Sequence, residues 1–269
     1  MDLLSLVLIA GGVGVLLSAV MMAAWCVQQR TGNPCWIDVF WSFGTGGVGC
    51  FAALIPVNAP WPHWRQAVVA LLAAGWCLRL GLYVGGRTRS STDDPRYRQL
   101  LNQWGDDAPR QMFLFLQAQA AVSGVLVLAI VLAAQNPDPA LRVEDLIGVA
   151  IVVSGFIGEA IADLQLQRFR ADPASRWAVC DVGLWRWSRH PNYFFEWLSW
   201  VGYPVVAIDF AGYNPNGWIA LSAPMCMYWV LVYVSGIPPL EEHMLRSRGD
   251  AFRAYQARTR SFVPWPLDS

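Results

Sequence analysis

The stretch "LWRWSRHPNYFFEWLSW", residues 184–200, sets arginine, histidine, asparagine and glutamate inside a run of tryptophan, tyrosine, phenylalanine and leucine. Polar groups at the mouth of an apolar segment need a reason, because ionisable groups in a membrane are costly. The segment reads as the start of a membrane helix. Pro191 suits the first helical turn, where its missing N–H costs nothing, and it restricts His190 to an extended boundary conformation. Asn192 and Glu196 are four residues apart and share one face, with Tyr193 in the same first turns. Such a start can present backbone N–H groups, Arg186 and Arg189 to an anion while the amide and the carboxylate hold its sugar or base.

The rest of the chain supplies the membrane. Of 269 residues, 55% are hydrophobic and 14% charged, against about 25% charged in soluble domains, and the mean hydropathy is +0.36. Seven apolar segments approach the ~20 residues that a bilayer requires: 3–27, 36–56, 65–86, 112–134, 145–167, 193–211 and 217–236. The expected fold is therefore an all-α polytopic bundle. The first segment lacks the basic start and small-residue cleavage site of a signal peptide, so it reads as a retained helix. The last two, joined by "GYNPNG" (212–217), read as a tight helical hairpin. All nineteen basic residues are arginines and the net charge is zero, which gives bulk charge no case for nucleic acid. Arginines cluster after segments one, three and five and in the tail, whereas Arg65 and Arg142 alone lie in the opposite loops. The positive-inside rule then places the N-terminus outside and the tail in the cytoplasm. The six scattered cysteines form no CxxC pair and read as small buried hydrophobes; with three histidines they make no metal site.

Other charges lie within or beside these segments. Asp38 opens the second in "CWIDVFW". Arg79 and Tyr83 share a face of the third, and Glu159 and Asp163 repeat that spacing in the fifth, with Gln167 one turn on. The tail "SGIPPLEEHMLRSRGDAFRAYQARTRSFVPWP" (235–266) leaves a Pro-Pro break as an amphipathic interfacial helix. Its Glu241, Glu242 and His243 stand just past the membrane, and Phe252 and Tyr255 face the apolar side.

Together "GLWRWSRHPNYFFEW" (183–197) and "EEHMLRSRGDAFRAYQARTRSFVPW" (241–265) resemble the membrane steroid 5-alpha-reductase-like superfamily, in its bacterial, 3-oxo-5-alpha-steroid 4-dehydrogenase-like branch. "QRTGNPCWIDVFWSFG" (29–44), "DDPRYRQL" (93–100) and "GEAIADLQLQRFRADP" (158–173) agree, so the resemblance covers 28–266. It implies one integral membrane domain of the bacterial inner membrane, with 1–110 mainly forming a substrate cavity and 111–269 mainly holding a cofactor at the cytoplasmic face. The implied reaction is hydride transfer from NADPH to an apolar conjugated enone, with a 3-oxo-4-ene steroid as the guiding case. Tyr83 is then the donor to the developing oxyanion, and Asp38 shares its proton network. Arg168, Arg176, Arg186 and Arg189 are candidates for the phosphates. Asp163, His190, Asn192, Tyr193 and Glu196 are candidates for nicotinamide, ribose or supporting hydrogen bonds, and Glu242, His243, Tyr255 and Arg258 would close the site. No Rossmann glycine fingerprint is present, which rules against the usual soluble nicotinamide domain. Phe195 departs from the glycine of many relatives, implying a tighter helix contact.

Two other readings stay open. Isoprenylcysteine and phospholipid methyltransferases share an Arg-His-Pro-x-Tyr helix start and a Glu-Glu tail around S-adenosylmethionine. A non-enzymatic membrane protein or transporter is the other, although no internal repeat of the transporter kind links the two halves. The expected partners are membrane lipid and an apolar small molecule; the sequence sets no oligomeric state.

Overall fold

The computed structural model describes residues 1–57, 64–90, 94–175 and 178–266, and these are all-α apart from an isolated bridge between Ser188 and Arg260. The α-helices are α1 (Leu3–Thr31), α2 (Trp36–Leu54), α3 (Trp64–Ser90), α4 (Pro95–Trp104), α5 (Ala108–Ala134), α6 (Val143–Ala171), α7 (Pro191–Ala207), α8 (Ser222–Trp229), α9 (Ile237–Arg248) and α10 (Asp250–Arg258). Among the described residues, six helical segments are long and apolar enough to cross a membrane: Leu3–Thr31, Trp36–Leu54, Trp64–Thr88, Arg96–Ala134, Val143–Ala171 and Pro215–Arg248. The protein is thus a polytopic membrane helical bundle.

The expected sixth span is the 17-residue α7, short of the usual ~20 residues. The expected seventh is not one regular helix: a 3-10 helix (Pro215–Leu221) leads into α8 and then a π-helical turn (Val230–Val234). Proline explains part of this, since Pro215 and Pro224 donate no hydrogen bond. Close packing explains more, because a Cβ on Gly217 would stand 2.2 Å from the Ala207 carbonyl oxygen. The tail also differs from a single helix. Gly249, at φ +52°, separates α9 from α10, a backbone state that glycine adopts without a Cβ penalty.

The chain divides into two compact units. One comprises Met1–Val149 and Tyr203–Ala223, the other Ala150–Gly202 and Pro224–Ser269. In the first, α1, α2 and α5 bury Val13, Leu17, Met21, Ile37, Met112, Leu116 and Val127 against one another. Lipid tails are as apolar as leucine, so membrane helices associate through close packing and polar contacts. Accordingly α2 and α3 approach where side chains are smallest. A Cβ on Gly46 would lie 2.1 Å from that of Cys77, and one on Gly81 would strike the Phe43 ring. Polar bonds supplement this packing: Ser18 of α1 donates to Gln117 of α5 at 2.7 Å, and Thr45 of α2 donates to Ser123 of α5 at 2.8 Å.

Arg65, in the first turn of α3, is 1% exposed. Its Nε and Nη2 bind both oxygens of Asp145 at 3.0 and 2.8 Å, while Nη1 and Nη2 reach the carbonyls of Asn136, Asp138 and Ala140. Arg142 joins from the other side, bonding Asp145 at 2.8 Å and the carbonyls of Val206 and Ile208. The α5–α6 connection is wound around one guanidinium.

In the second unit, α6 and α7 meet at two glycines. A Cβ on Gly155 would sit 2.2 Å from the Ser199 hydroxyl, and one on Gly158 would enter the Phe195 ring at 2.2 Å. The Phe195 ring fills the space that Gly158 leaves open. Ahead of α7, Leu184 N–H donates to Gln165 at 2.9 Å and the Trp185 indole to the Ala162 carbonyl at 2.9 Å, fastening the 183–186 turn to α6.

Replacing Asp145 with asparagine would leave Arg65 and Arg142 facing each other without their counter-charge. Losing one partner of a buried ion pair costs about 3–5 kcal/mol. The unfolding midpoint of detergent-solubilised Asp145→Asn should fall sharply, whereas the neighbouring Glu144→Gln should leave it near the wild-type value.

Candidate functional site

The start of α7 is built as its sequence suggests. Pro191 is the first helical residue and His190 lies just outside. Asn192 and Tyr193 are half-buried, and Glu196 is buried and accepts from the Trp200 indole at 2.9 Å. On α6, Glu159 and Asp163 are both buried. Asn192 Nδ2 lies 3.4 Å from Asp163 Oδ1, a long hydrogen bond that joins the polar faces of the two helices. Gln167, expected to extend the α6 face, is exposed; Gln165 makes the inward contact instead. At 100° per residue Gln167 does share the Asp163 face, but it stands in the exposed last turns of α6, and Gln165 bonds from another side of the helix.

The candidate arginines separate into different kinds. Arg168 and Arg186 are exposed, as side chains awaiting an anion would be. Arg176 lies outside the described residues. Arg189 is already committed: Nε and Nη2 bind Glu241 at 2.7 and 3.2 Å, and Nη1 donates to the carbonyls of Gln256 and Thr259. Gln256 also donates to Glu241 at 2.7 Å, and His190 Nε2 lies 3.1 Å from the same carboxylate. Next to this hub, Arg189 N–H bonds the Arg260 carbonyl at 2.8 Å and the Ser188 hydroxyl bonds that of Phe262 at 2.7 Å. The Phe262 ring packs edge-on against Phe194, Trp197 and Tyr228. Arg189 and Glu241 thereby latch the C-terminal tail against the segment preceding α7.

The remaining tail candidates have local partners. The Tyr255 ring is buried and its hydroxyl donates to the carbonyls of Trp185 and Ser188. Arg258 pairs with Asp181 at 2.7 Å and Glu242 with Arg246, while His243 is exposed. No signal within the tail alone singles out Glu241 over Glu242, although Glu241 is the hub.

In the first unit, Asp38 lies in the first turn of α2 and both its oxygens accept hydrogen bonds. Tyr97 donates to Oδ1 at 2.7 Å and Arg96 Nη2 to Oδ2 at 2.6 Å, with Arg87 at 3.8 Å. Asp94 caps α4 by accepting from Arg96 N–H at 3.0 Å and binds its guanidinium at 3.0 and 2.9 Å. Burial would raise the Asp94 carboxyl, but the Arg96 side chain, its backbone N–H and Arg87 outweigh that and hold it below the usual range. Tyr83 is half-buried on α3. Sequence reading passed over Arg96 and Tyr97 as chemistry, although "DPRY" carries the sign of it: an acid cap, a proline at the first turn and two polar donors in succession.

These features define an all-α membrane protein with a polar constellation in each unit. The chain belongs to the DUF1295 family, described as proteins of unknown function, which matches residues 24–259. That family is linked generally to the steroid 5-alpha-reductase and polyprenol reductase superfamily, so the fold is consistent with enzymes that act on lipids or steroids. Comparison with curated proteins and with solved structures gives no significant match.

His190 is 6% exposed and its pKa is lowered: burial disfavours the imidazolium and Arg189 repels it, outweighing the attraction of Glu241. Its neutral ring can donate Nε2–H to Glu241. Because the unfolded histidine titrates near 6.5, the stability associated with neutral His190 is complete above that pH. It is lost as pH falls from there through the lowered folded value. Unfolding midpoints of the wild type should therefore decline on acidification below about pH 6.5, and His190→Gln, which keeps a donor for Glu241, should show a flatter decline.

Proposed function

We propose that the protein is an NADPH-dependent reductase of the carbon–carbon double bond of an apolar conjugated enone, with a 3-oxo-4-ene steroid as the leading substrate. The observation that carries this reading is the row Asp163, Asn192 and Glu196 across α6 and α7, two buried acids about an amide, in a family linked to membrane reductases. The donor set fits a dinucleotide. Carboxylates suit ribose hydroxyls and a carboxamide, and exposed arginines suit phosphates through charge-assisted bonds.

Asp163, Asn192, Tyr193 and Glu196 would hold the nicotinamide and ribose, with Arg168 and Arg186 on the phosphates. NADPH, when bound, supplies the hydride. Tyr83 would donate a hydrogen bond to the substrate oxygen as negative charge develops there, and Asp38 would serve its proton network. Arg189, Tyr255 and the tail would support the cofactor residues by fixing the chain ahead of α7. In functional terms, 1–110 would then mainly serve the substrate and 111–269 the cofactor.

With this chemistry we propose seven crossings, the short α7 included, an outside N-terminus and a cytoplasmic tail in a bacterial inner membrane. The arginine bias supports that orientation. Its two exceptions, Arg65 and Arg142, are held by Asp145.

Side-by-side equilibrium binding of NADPH and S-adenosylmethionine to the detergent-purified protein tests the reading. NADPH should bind selectively, and Arg186→Ala and Asn192→Ala should each weaken it about tenfold, the loss of ~1.4 kcal/mol. Arg189→Ala is a poor control, because it also unlatches the tail. Binding of S-adenosylmethionine alone would overturn the reductase and make the same constellation a methyl-transfer site.

A further inference from the structure

Consecutive residues of one short helix grip the two oxygens of one carboxylate in the first unit. Tyr97 is 3% exposed and its ring packs edge-on against Phe115 at 6.5 Å. Held by that packing, the phenol donates to Asp38 Oδ1 at 2.7 Å. Arg96 is aligned just as closely, because Asp94 holds its Nε and Nη2 and caps the turn from which it projects. Its Nη2 then reaches Asp38 Oδ2 at 2.6 Å. The Asp38 side chain itself keeps 21% of its surface accessible, so it is a half-open acid on a closed support.

Surface ion pairing does not account for this arrangement. An exposed pair would need neither a buried phenol nor an arginine held from behind by a second acid. A carboxylate has about four acceptor positions, and Tyr97 and Arg96 occupy one on each oxygen. They fix the rotamer of Asp38 while leaving its other acceptor positions open. We propose that Tyr97 and Arg96 are positioning residues for the reduction, clamping Asp38 in the orientation from which it serves the proton delivered to the substrate. This rests on the reductase reading. In the balanced step the double bond takes a hydride at the beta carbon and a proton at the alpha carbon, NADPH becoming NADP+, and the clamp acts on the proton.

The charged and titratable groups about Asp38 are Cys35 on its own side, Arg87 from α3, and Asp94, Arg96 and Tyr97 from the start of α4. Removing the Tyr97 donor leaves every one of the others in place. It frees Asp38 Oδ1, so that the carboxylate is gripped through Oδ2 alone and loses its fixed orientation.

The test is steady-state enone reduction, with kcat and KM determined separately, by the full-length wild type, Tyr97→Phe and Arg96→Lys, with NADPH affinity and unfolding midpoint measured on the same samples. Tyr97→Phe keeps the packed ring. It should retain NADPH affinity and the enone KM and lose kcat about tenfold, as the loss of a hydrogen bond to a charged group implies. Arg96→Lys, with the charge but not the fork, should fall between the wild type and Tyr97→Phe. An active wild type whose kcat is unchanged in Tyr97→Phe overturns the clamp and leaves the reductase standing, even if the unfolding midpoint drops. A wild type that binds no NADPH and reduces no enone removes the reading and the clamp together.

Discussion

A guanidinium taken out of water carries five N–H donors in a rigid planar fork, and hydrocarbon offers them nothing. Every bond must come from protein, and an arginine buried in a bundle dictates the path of the chain around it. Arg65 illustrates how far this goes. Its five donors meet the two oxygens of Asp145 and the carbonyls of Asn136, Asp138 and Ala140, so the loop between α5 and α6 has little freedom left. Asn136 in turn bonds the carbonyls of Val206 and Ala207, where α7 ends. One side chain thus orders a loop, a helix start and a helix end within the first unit.

Within the second unit Arg189 applies the same rule to the tail. Glu241 balances its charge, and the Gln256 and Thr259 carbonyls take Nη1. The sequence does not show these contacts, because an arginine before a histidine and a proline reads equally well as an anion ligand. Whether an arginine can serve a phosphate depends on how many of its donors the protein has already used. By that measure Arg186 and Arg168, exposed at the ends of their elements, are better placed than Arg189, despite the more suggestive neighbours of Arg189.

Faces and boundaries were legible in the sequence; partners mostly were not. The apolar segments, the helix start at Pro191, the shared face of Asn192 and Glu196, and the inward pair Glu159 and Asp163 all follow from periods of three to four residues and from proline geometry. Asp38 was legible as an intramembrane acid. Its donors, 58 and 59 residues further on, were not, because local spacing carries no information about which helix packs where. The Arg189–Glu241 pair, 52 residues apart, was hidden for the same reason. The break of the last apolar segment into 3-10, α and π turns was hidden too, since hydropathy responds to composition and is blind to the backbone contacts of Gly217 and Gly236.

Phe195 marks the boundary between these two kinds of knowledge. A phenylalanine at a helix contact crowds it, and crowding in a membrane bundle has to be relieved, because little hydrophobic force between helices offsets strain. The relief lies on the facing helix. Gly158 has no side chain where the Phe195 ring enters, and Gly155 leaves room for the Ser199 hydroxyl one turn away. Bulk on α7 is matched by its absence on α6, and the close approach follows. This approach brings Asn192 within reach of Asp163. The bond is long at 3.4 Å, so a change of a few tenths of an ångström in helix separation decides whether the two groups meet. The close contacts of Phe195 with Gly158 and of Ser199 with Gly155 therefore underlie the polar row on which the proposed cofactor chemistry depends.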